Sequence, residues 1–200
     1  MLKPLVLASS SPFRKELLER LQRPFITATP DIDESALEGE TAPELVQRLA
    51  QRKAAALAPR FPHHLIIGSD QVAVANGHIL GKPHTEENAY LQLKQFSGQK
   101  VTFHTGVSVY DSALEKYHTS LANYAVYFRQ LSDEDIWAYI RAEQPLQCAG
   151  SFKSEGLGIC LFERMEGDDP TSLIGLPLIQ LCTLLRDCGV NPLLSHESRS

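Results

Sequence analysis

The chain has 200 residues, of which 43% are hydrophobic and 22% charged, a composition that fits a globular protein and argues against a disordered one. Its formal net charge of −5 argues against a general nucleic-acid binder but allows a local basic pocket for a small anion. Its apolar runs are all shorter than the roughly 20 residues of a membrane span, so we expect a cytoplasmic protein with no membrane partner. We expect one domain over residues 1–192 and a disordered tail over 193–200.

Periodic apolar residues in the first third of the chain predict a strand, a helix, a strand and a helix over residues 4–9, 12–22, 24–29 and 42–58. The first helix carries Arg14 and Lys15 in its first turn, where the helix dipole is already positive. Three serines precede it, and their hydroxyls join the free backbone N–H groups of the helix start. This concentration of donors suits a phosphate, although a plain helix start with two surface cations is the simpler local explanation.

An Asn-Gly pair at 76–77 between alternating apolar residues predicts a two-residue β-hairpin. Extending that pairing places Gln71 opposite Lys82. Strict alternation puts the neighbouring Asp70 side chain on the other face of the strand. A bulge or twist near Gly81 would then be needed to bring Asp70 and Lys82 to one site.

The second half of the chain predicts further mixed elements. Helices are expected over 85–97, 132–142 and 175–187, and strands over 100–110, 120–129 and 157–164. Strands and helices mixed along the whole chain predict an α/β or mixed α+β class.

The four cysteines form no C-x-x-C pair, which argues against a zinc site or a redox motif. We expect buried, reduced thiols at Cys148, Cys160, Cys182 and Cys188.

Carboxylates cluster in the loop that contains Asp31, Asp33 and Glu34, and Asp70 interrupts an apolar run within the sequence GSDQ. Carboxylates that share a cleft with cations would match a magnesium site for a polyphosphate, because Mg²⁺ prefers oxygen ligands. The alternatives are a solvated turn for the acidic loop and a structural turn residue for Asp70.

A third segment, "CAGSFKSEGLG" at 148–158, places Phe152, Lys153 and Glu155 between small residues. A glycine-bounded loop with an aromatic, a cation and an acid can clamp a ligand. On composition alone, a simple connection into the next strand explains it as well.

Together these segments resemble the Maf family of nucleotide pyrophosphatases, in order, over roughly residues 4–188. The resemblance rests on "ASSSPFRKELL", "DIDE", "LVQRLAQRKA", "GSDQVAV", "GKP", "FHTGVSV", "CAGSFKSEG" and "GLPL". An aromatic at position 13, "SDQ" at 69–71 and "SFKSEG" at 151–156 are similar to the bacterial 7-methyl-GTP pyrophosphatase branch.

The resemblance implies an enzyme that splits a nucleoside triphosphate between its α and β phosphates and removes modified nucleotides. It also implies a Maf/ITPase-like fold, in which helices flank a twisted mixed sheet and a cleft separates two lobes. A divalent cation, Mg²⁺ or Mn²⁺, and a homodimer are further implications. No stable nucleic-acid partner is expected.

The resemblance also implies roles for individual residues. Asp70 matches the catalytic proton acceptor and, with Glu34, is expected to bind the metal. The phosphate-handling positions match Ser9, Arg14, Lys53 and Lys82. The positions expected to select the base match Phe13, Gln71 and Glu155.

Three alternatives remain open at the level of sequence. The first is a dTTP/UTP-type pyrophosphatase of the same family, against which Glu155 argues. The second is a nucleotide-binding regulator of septum formation without important turnover, which would have no chemical need for the complete set of charged residues. The third is an RNA-binding module, which the negative net charge disfavours.

Overall fold

The structure, a computed structural model, describes residues 3–194. Most of the predicted tail, residues 195–200, therefore lies outside the described residues. Within the described range the seven strands are β1 (Leu5–Ala8), β2 (Phe25–Ala28), β3 (Leu65–Ala75), β4 (His78–Leu80), β5 (Lys100–Asp111), β6 (Lys116–Phe128) and β7 (Phe162–Gly167). The six α-helices of that range are α1 (Pro12–Glu19), α2 (Ala42–Ala56), α3 (Glu86–Phe96), α4 (Asp133–Glu143), α5 (Pro170–Ile174) and α6 (Leu178–Asp187).

The strands form one mixed sheet in the order β2-β1-β3-β5-β6-β7, and β4 pairs with β3. Strand β1 runs parallel to β2 and β3, whereas the other pairs are antiparallel. The prediction of a mixed sheet flanked by helices is confirmed. The described residues form four apolar clusters against it, of which the two largest lie around α3 and α4 and beneath α1 and α6, and the other two involve α2. A cavity opens between Phe152 and Leu173 of the α3–α4 cluster and Ile174, which packs against the α1–α6 cluster.

Helix α2 lies very close to the sheet because two strand residues that face it are glycines. A Cβ atom added at Gly68 would lie 2.1 Å from the carbonyl oxygen of Ala50, and one at Gly106 would lie 2.3 Å from that of Val46. A larger residue at either position would force the helix and the sheet apart. This close approach brings Lys53, near the end of α2, over β3.

The predicted hairpin forms, but it is shorter than the sequence suggests. Ala75 pairs with His78 and Val74 with Ile79, as predicted, and the ladder then ends at Leu80. The expectation that Gln71 lies opposite Lys82 is therefore wrong.

On the other side of β3, Gln71 pairs with Thr105 of β5. Because strand pairing ends at Leu80, the side chain of Lys82 does not have to follow the alternation of the strand. Its side chain lines the same cavity as Asp70, with no bulge between β3 and β4.

One C-terminal prediction needs correction and one element was missed. Residues 157–161 form a 3₁₀ turn rather than the start of a strand, so β7 begins only at Phe162. The helix predicted over 175–187 forms as α6 from Leu178, whereas the short helix α5, which is terminated by Gly175 with a φ of 120°, was not predicted.

The Asp169 carboxylate fixes the start of both helices. It accepts hydrogen bonds from the backbone N–H of Thr171, at 2.8 Å, and from that of Ile179, at 2.7 Å. The break between the helices is therefore held in place by a buried side chain.

The cysteines are free thiols, but the expectation that all of them are buried is wrong. Cys160 is exposed and the other three are half-buried. Burial raises the pKa of Cys148 and of Cys188 to about 11, so both thiols stay protonated near neutral pH.

The sheet ends in β2 on one side and in β7 on the other. After Phe162, every residue of β7 is exposed, including the charged residues Glu163, Arg164 and Glu166. Within residues 3–194, no helix combines the length and the apolar character that crossing a bilayer requires.

Candidate active site

A cavity of about 680 Å³ opens at the carboxyl end of β1, beside the start of α1. Its walls come from α1, α2, β3, the acidic loop, the turn after β4, residues 147–155 and the junction of α5 with α6. All nine residues to which the family resemblance assigns a role line it: Ser9, Phe13, Arg14, Glu34, Lys53, Asp70, Gln71, Lys82 and Glu155.

The centre of the site is an ion-pair cluster in which two carboxylates meet one ammonium group. The Nζ atom of Lys53 donates to Asp70 Oδ1 at 2.6 Å and to Glu34 Oε2 at 2.9 Å. Lys53 and Asp70 are only 6% and 7% exposed, whereas Glu34 lies on an exposed loop. Burying either charge alone would be costly, so each of the two buried groups neutralises the other.

Only one oxygen of Asp70 is used in this cluster. Within the described part of the chain, Oδ2 accepts no hydrogen bond. It is also not among the side-chain polar atoms that are buried without a hydrogen-bond partner. Oδ2 therefore has access to the cavity and can accept a proton or bind a cation.

Arg14 extends the positive wall of the cavity. Its Nε atom donates to the carbonyl oxygen of Gly175 at 2.8 Å. Burial lowers the pKa of the guanidinium, and the negative charges of Asp70 and Glu34 oppose that shift. These carboxylates explain why a cation is tolerated at the positive end of α1.

The serine-rich loop is organised around the start of α1. Ser11 caps the helix by accepting a hydrogen bond from the Arg14 N–H at 3.4 Å, and Ser9 accepts from the Ser11 N–H at 3.1 Å. Lys15 points elsewhere and forms an exposed ion pair with Glu19 at 3.7 Å. Of the two adjacent cations, only Arg14 belongs to the site.

The Gln71 side-chain amide is held by hydrogen bonds to residues of β5 and α5. Its Nε2 atom donates to Thr105 Oγ1 at 3.0 Å and to the carbonyl oxygens of Ser172 and Leu173 at 2.6 and 3.2 Å. The amide is thus tied to β5 and to α5.

The remaining predicted residues form the rim. Lys82 and Glu155 are exposed, and Phe13 is half-buried at the first turn of α1. Glu155 accepts a hydrogen bond from the Ser154 hydroxyl at 3.3 Å. Long exposed side chains at a rim can turn toward a bound ligand.

Of the three side chains that could clamp a ligand in residues 148–158, Phe152 and Glu155 line the cavity and Lys153 does not. Phe152 forms part of the cavity wall and stacks edge-to-face on Phe103, with ring centres 5.1 Å apart. The Lys153 ammonium instead donates to the carbonyl oxygen of Glu143, at 2.6 Å, so it braces α4. Asp31 and Asp33 likewise do not line the cavity.

The sequence alone did not identify the buried hydroxyls that form hydrogen bonds beneath the cavity-lining residues. Thr105 and Ser69 are both fully buried. Ser69 donates to the carbonyl of Gly175, the same oxygen that receives the Arg14 hydrogen bond. The available signals are the motifs "GSDQVAV" and "FHTGVSV", which contain Ser69 and Thr105, and "GLPL", which begins at Gly175.

The carboxylates at the centre of the site suit a divalent cation. Within residues 3–194 there is no group of three or more His, Cys, Asp or Glu side chains arranged for a metal. Magnesium, however, needs only one or two carboxylates when phosphates and water complete its shell. Glu34 and Asp70 already converge on one cation, the Lys53 ammonium, so this pair fits such an ion.

Comparisons with known proteins identify a family and a relative of this chain. The sequence matches the family described as Maf-like protein over residues 4–188. The 7-methyl-GTP pyrophosphatase of Colwellia psychrerythraea is 55% identical over 198 residues, which cover 99% of this chain and 98% of that protein.

Two solved structures resemble part of the fold. The Ham1 protein of Staphylococcus aureus has a TM-score of 0.47 and 15% identity, covering 64% of this chain and 73% of its own. A HAM1 protein from Coxiella burnetii has a TM-score of 0.48 and 15% identity, and the match covers 77% of this chain and 89% of that protein's chain. The family match and the 55% identity span nearly the whole chain. The chain therefore belongs to the Maf family, as its motifs predicted.

Proposed function

We propose that this protein is a pyrophosphatase that hydrolyses 7-methyl-GTP to 7-methyl-GMP and diphosphate. The observation that carries the reaction is the convergence of Asp70 and Glu34 on Lys53, with Arg14 on the same cavity wall. The 55% identity to a 7-methyl-GTP pyrophosphatase supports the substrate.

Asp70 is the proposed general base. Its Oδ2 takes a proton from the attacking water, the new P–O bond forms, and the bond between the α-phosphorus and the bridging oxygen breaks. The electron pair leaves with the diphosphate. Arg14 and Lys82 stabilise the negative charge that spreads over the phosphate oxygens, while Lys53 holds the base in place. Ser9 and the N–H groups at the start of α1 orient the phosphates.

Glu34 and Asp70 are the proposed ligands of a divalent cation, Mg²⁺ or Mn²⁺. When bound, such an ion supplies charge neutralisation on the phosphates and lowers the pKa of a coordinated water. Lys53 must then share the two carboxylates with the ion or move toward the phosphates.

The base would be selected at the rim. A 7-methylated guanine ring is positively charged, and the face of Phe13 attracts such a ring by a cation–π contact of about 1–2 kcal/mol. The carboxylate of Glu155 can accept hydrogen bonds from the N1 and N2 hydrogens of guanine. A canonical pyrimidine offers neither the ring charge nor this pair of donors.

A substrate panel tests the proposal. Purified protein with Mg²⁺ or Mn²⁺ should release diphosphate from 7-methyl-GTP much faster than from GTP, dTTP or UTP. A preference for dTTP and UTP would instead identify the pyrimidine-type enzyme. Tight binding without release under either metal would identify a regulator rather than an enzyme.

A cytoplasmic location and a homodimer belong to the same proposal. Sedimentation at several protein concentrations measures the assembly directly, and a species with the mass of one 22.2 kDa chain at all of them would contradict the dimer.

A further inference from the structure

The orientation of the Gln71 amide follows from what surrounds it. Two of its neighbours, the backbone oxygens of Ser172 and Leu173, can only accept hydrogen bonds. The atom that lies 2.6 Å from the Ser172 oxygen must therefore be the amide nitrogen, Nε2. The carbonyl oxygen of the side chain, Oε1, necessarily lies on the opposite side.

Thr105 completes this arrangement. Its hydroxyl donates to the Ser172 carbonyl at 2.9 Å, because that carbonyl has no hydrogen to give. The hydroxyl has a single hydrogen, so toward Gln71, at 3.0 Å, it can act only as an acceptor. Both hydrogens of the Gln71 amide are thus used, shared among the Thr105 hydroxyl and the Ser172 and Leu173 carbonyls.

The Gln71 oxygen is left for a ligand. Within the described residues, Oε1 accepts no hydrogen bond. It is also not among the side-chain polar atoms that are buried without a hydrogen-bond partner. Gln71 lines the cavity, so Oε1 is the polar atom that it presents there. An amide that could rotate freely would offer a donor as readily as an acceptor, and it would accept a wider range of bases.

We propose that Thr105 is a positioning residue for base selection, which, together with the Ser172 and Leu173 carbonyls, holds Gln71 as an acceptor in the nucleotide pocket. This inference rests on the proposed function and deepens it. Gln71 and Glu155 then both present acceptors, which match a base that carries neighbouring imino and amino donors, as guanine does. Thr105 touches no substrate and acts through Gln71 alone.

The test compares three variants of buried hydroxyls. Thr105→Val keeps the shape of the side chain and removes the hydroxyl, whereas Thr105→Ser keeps the hydroxyl. Ser108→Ala is the matched control, because Ser108 is an equally buried hydroxyl on β5 that bonds to Thr119 instead of α5. Thermal melts establish that each variant is folded.

The first readout is selectivity, the ratio of kcat/KM for 7-methyl-GTP to kcat/KM for UTP. Thr105→Val should lower this ratio about fivefold, which corresponds to the loss of one ordinary hydrogen bond. The change should come from a higher KM for 7-methyl-GTP. Thr105→Ser should restore it and Ser108→Ala should leave it unchanged. The Gln71→Leu variant should lose selectivity. If it does and Thr105→Val leaves the ratio unchanged, the inference is overturned but the proposed function is not.

The second readout does not depend on which nucleotide is hydrolysed. The side-chain amide signals of Gln71, assigned by their loss in Gln71→Leu, should exchange their hydrogens slowly with solvent in the wild-type protein. One of the two hydrogens should exchange at least about tenfold faster in Thr105→Val. Equal exchange in both proteins would overturn the role of Thr105, even if the substrate proved to be another nucleotide.

Discussion

The two oxygens of the Asp70 carboxylate have different environments, and that difference leads to a prediction. Asp70→Asn keeps an oxygen that can accept from Lys53 and removes the ability to accept a proton at neutral pH. We expect kcat to fall by about 10²- to 10⁴-fold, the usual contribution of a general base. Diphosphate release measures the rate, and calorimetry should find nucleotide binding largely intact. If the variant kept most of its rate, Asp70 would not be the base.

Phe13 leads to a second prediction at this scale. Phe13→Leu keeps an apolar side chain and removes the aromatic face, so affinity for 7-methyl-GTP should fall about 5- to 30-fold, matching a contact of about 1–2 kcal/mol. GTP, whose base is uncharged, should lose much less. Phe13→Tyr, which keeps the ring, is the control. Equal losses for GTP and 7-methyl-GTP in direct binding measurements would exclude a contact with the ring charge.

Among elements, the position of α2 matters most because it carries Lys53. Gly68→Ala would place a methyl group against the Ala50 carbonyl, so we expect a loss of about 1–3 kcal/mol in the free energy of unfolding. Turnover should also fall, because the displaced helix moves Lys53 away from Asp70. Urea denaturation measures the first effect and diphosphate release the second.

Gly81→Ala is the control for this stability measurement. A Cβ atom at Gly81 would meet no other atom within 4 Å, so its unfolding free energy should stay within about 0.5 kcal/mol of the wild-type value. Equal stability of Gly68→Ala and the wild-type protein would show that α2 can retreat without cost.

The acidic loop is fastened to α2 by Arg48. Its guanidinium donates to both carboxylate oxygens of Glu40 and to the carbonyl oxygen of Ser35. The hydrogen bond from Arg48 lowers the pKa of Glu40 from its ordinary value of 4.5 to about 2. This contact therefore holds the segment that follows Glu34.

That shift predicts a pH dependence. A carboxyl group whose pKa is lowered on folding stabilises the protein above the unfolded value, and this contribution disappears as the pH falls through the folded value. The melting temperature should therefore fall between pH 4.5 and about 2, and Glu40→Gln should remove part of that fall. Melts of both proteins across this range provide the comparison. Parallel profiles would mean that the Arg48 contact does not change the pKa of Glu40.

The sequence predicts the long elements well because each has enough residues to show a period. Helix α5 has only five residues, too few for a helical repeat, and its start depends on Asp169. For the site, Asp70 could be found because it interrupts an apolar run, whereas Lys53 was identified only through the resemblance to the Maf motifs. The Gln71–Thr105–Ser172 contacts join residues 34 and 101 positions apart, and isolated hydroxyls in a strand carry no local signal of such a role.

At the scale of the whole molecule, the Lys53 bridge leads us to expect that folding does not require a metal. Two carboxylates that met without a cation would repel each other, but the ammonium group between Glu34 and Asp70 bridges them and offsets one of their two negative charges. We therefore expect EDTA to abolish turnover while changing the melting temperature by only about 1–2 °C.

Readdition of Mg²⁺ is the control, and it should restore the rate in full. A large drop in melting temperature on chelation would show instead that the ion is part of the folded framework. Such a result would also assign Lys53 a smaller role in holding the carboxylates together.

The exposed strand β7 has a consequence for the protein at high concentration. An edge strand offers unpaired N–H and C=O groups to any other edge it meets, and charged side chains are a common protection against such pairing. Glu163, Arg164 and Glu166 lie along this strand, and a partner strand would have to cover all three. Concentrated samples should consequently resist the growth of sheets from molecule to molecule at this edge, and aggregation that proceeds by strand addition would have to begin elsewhere.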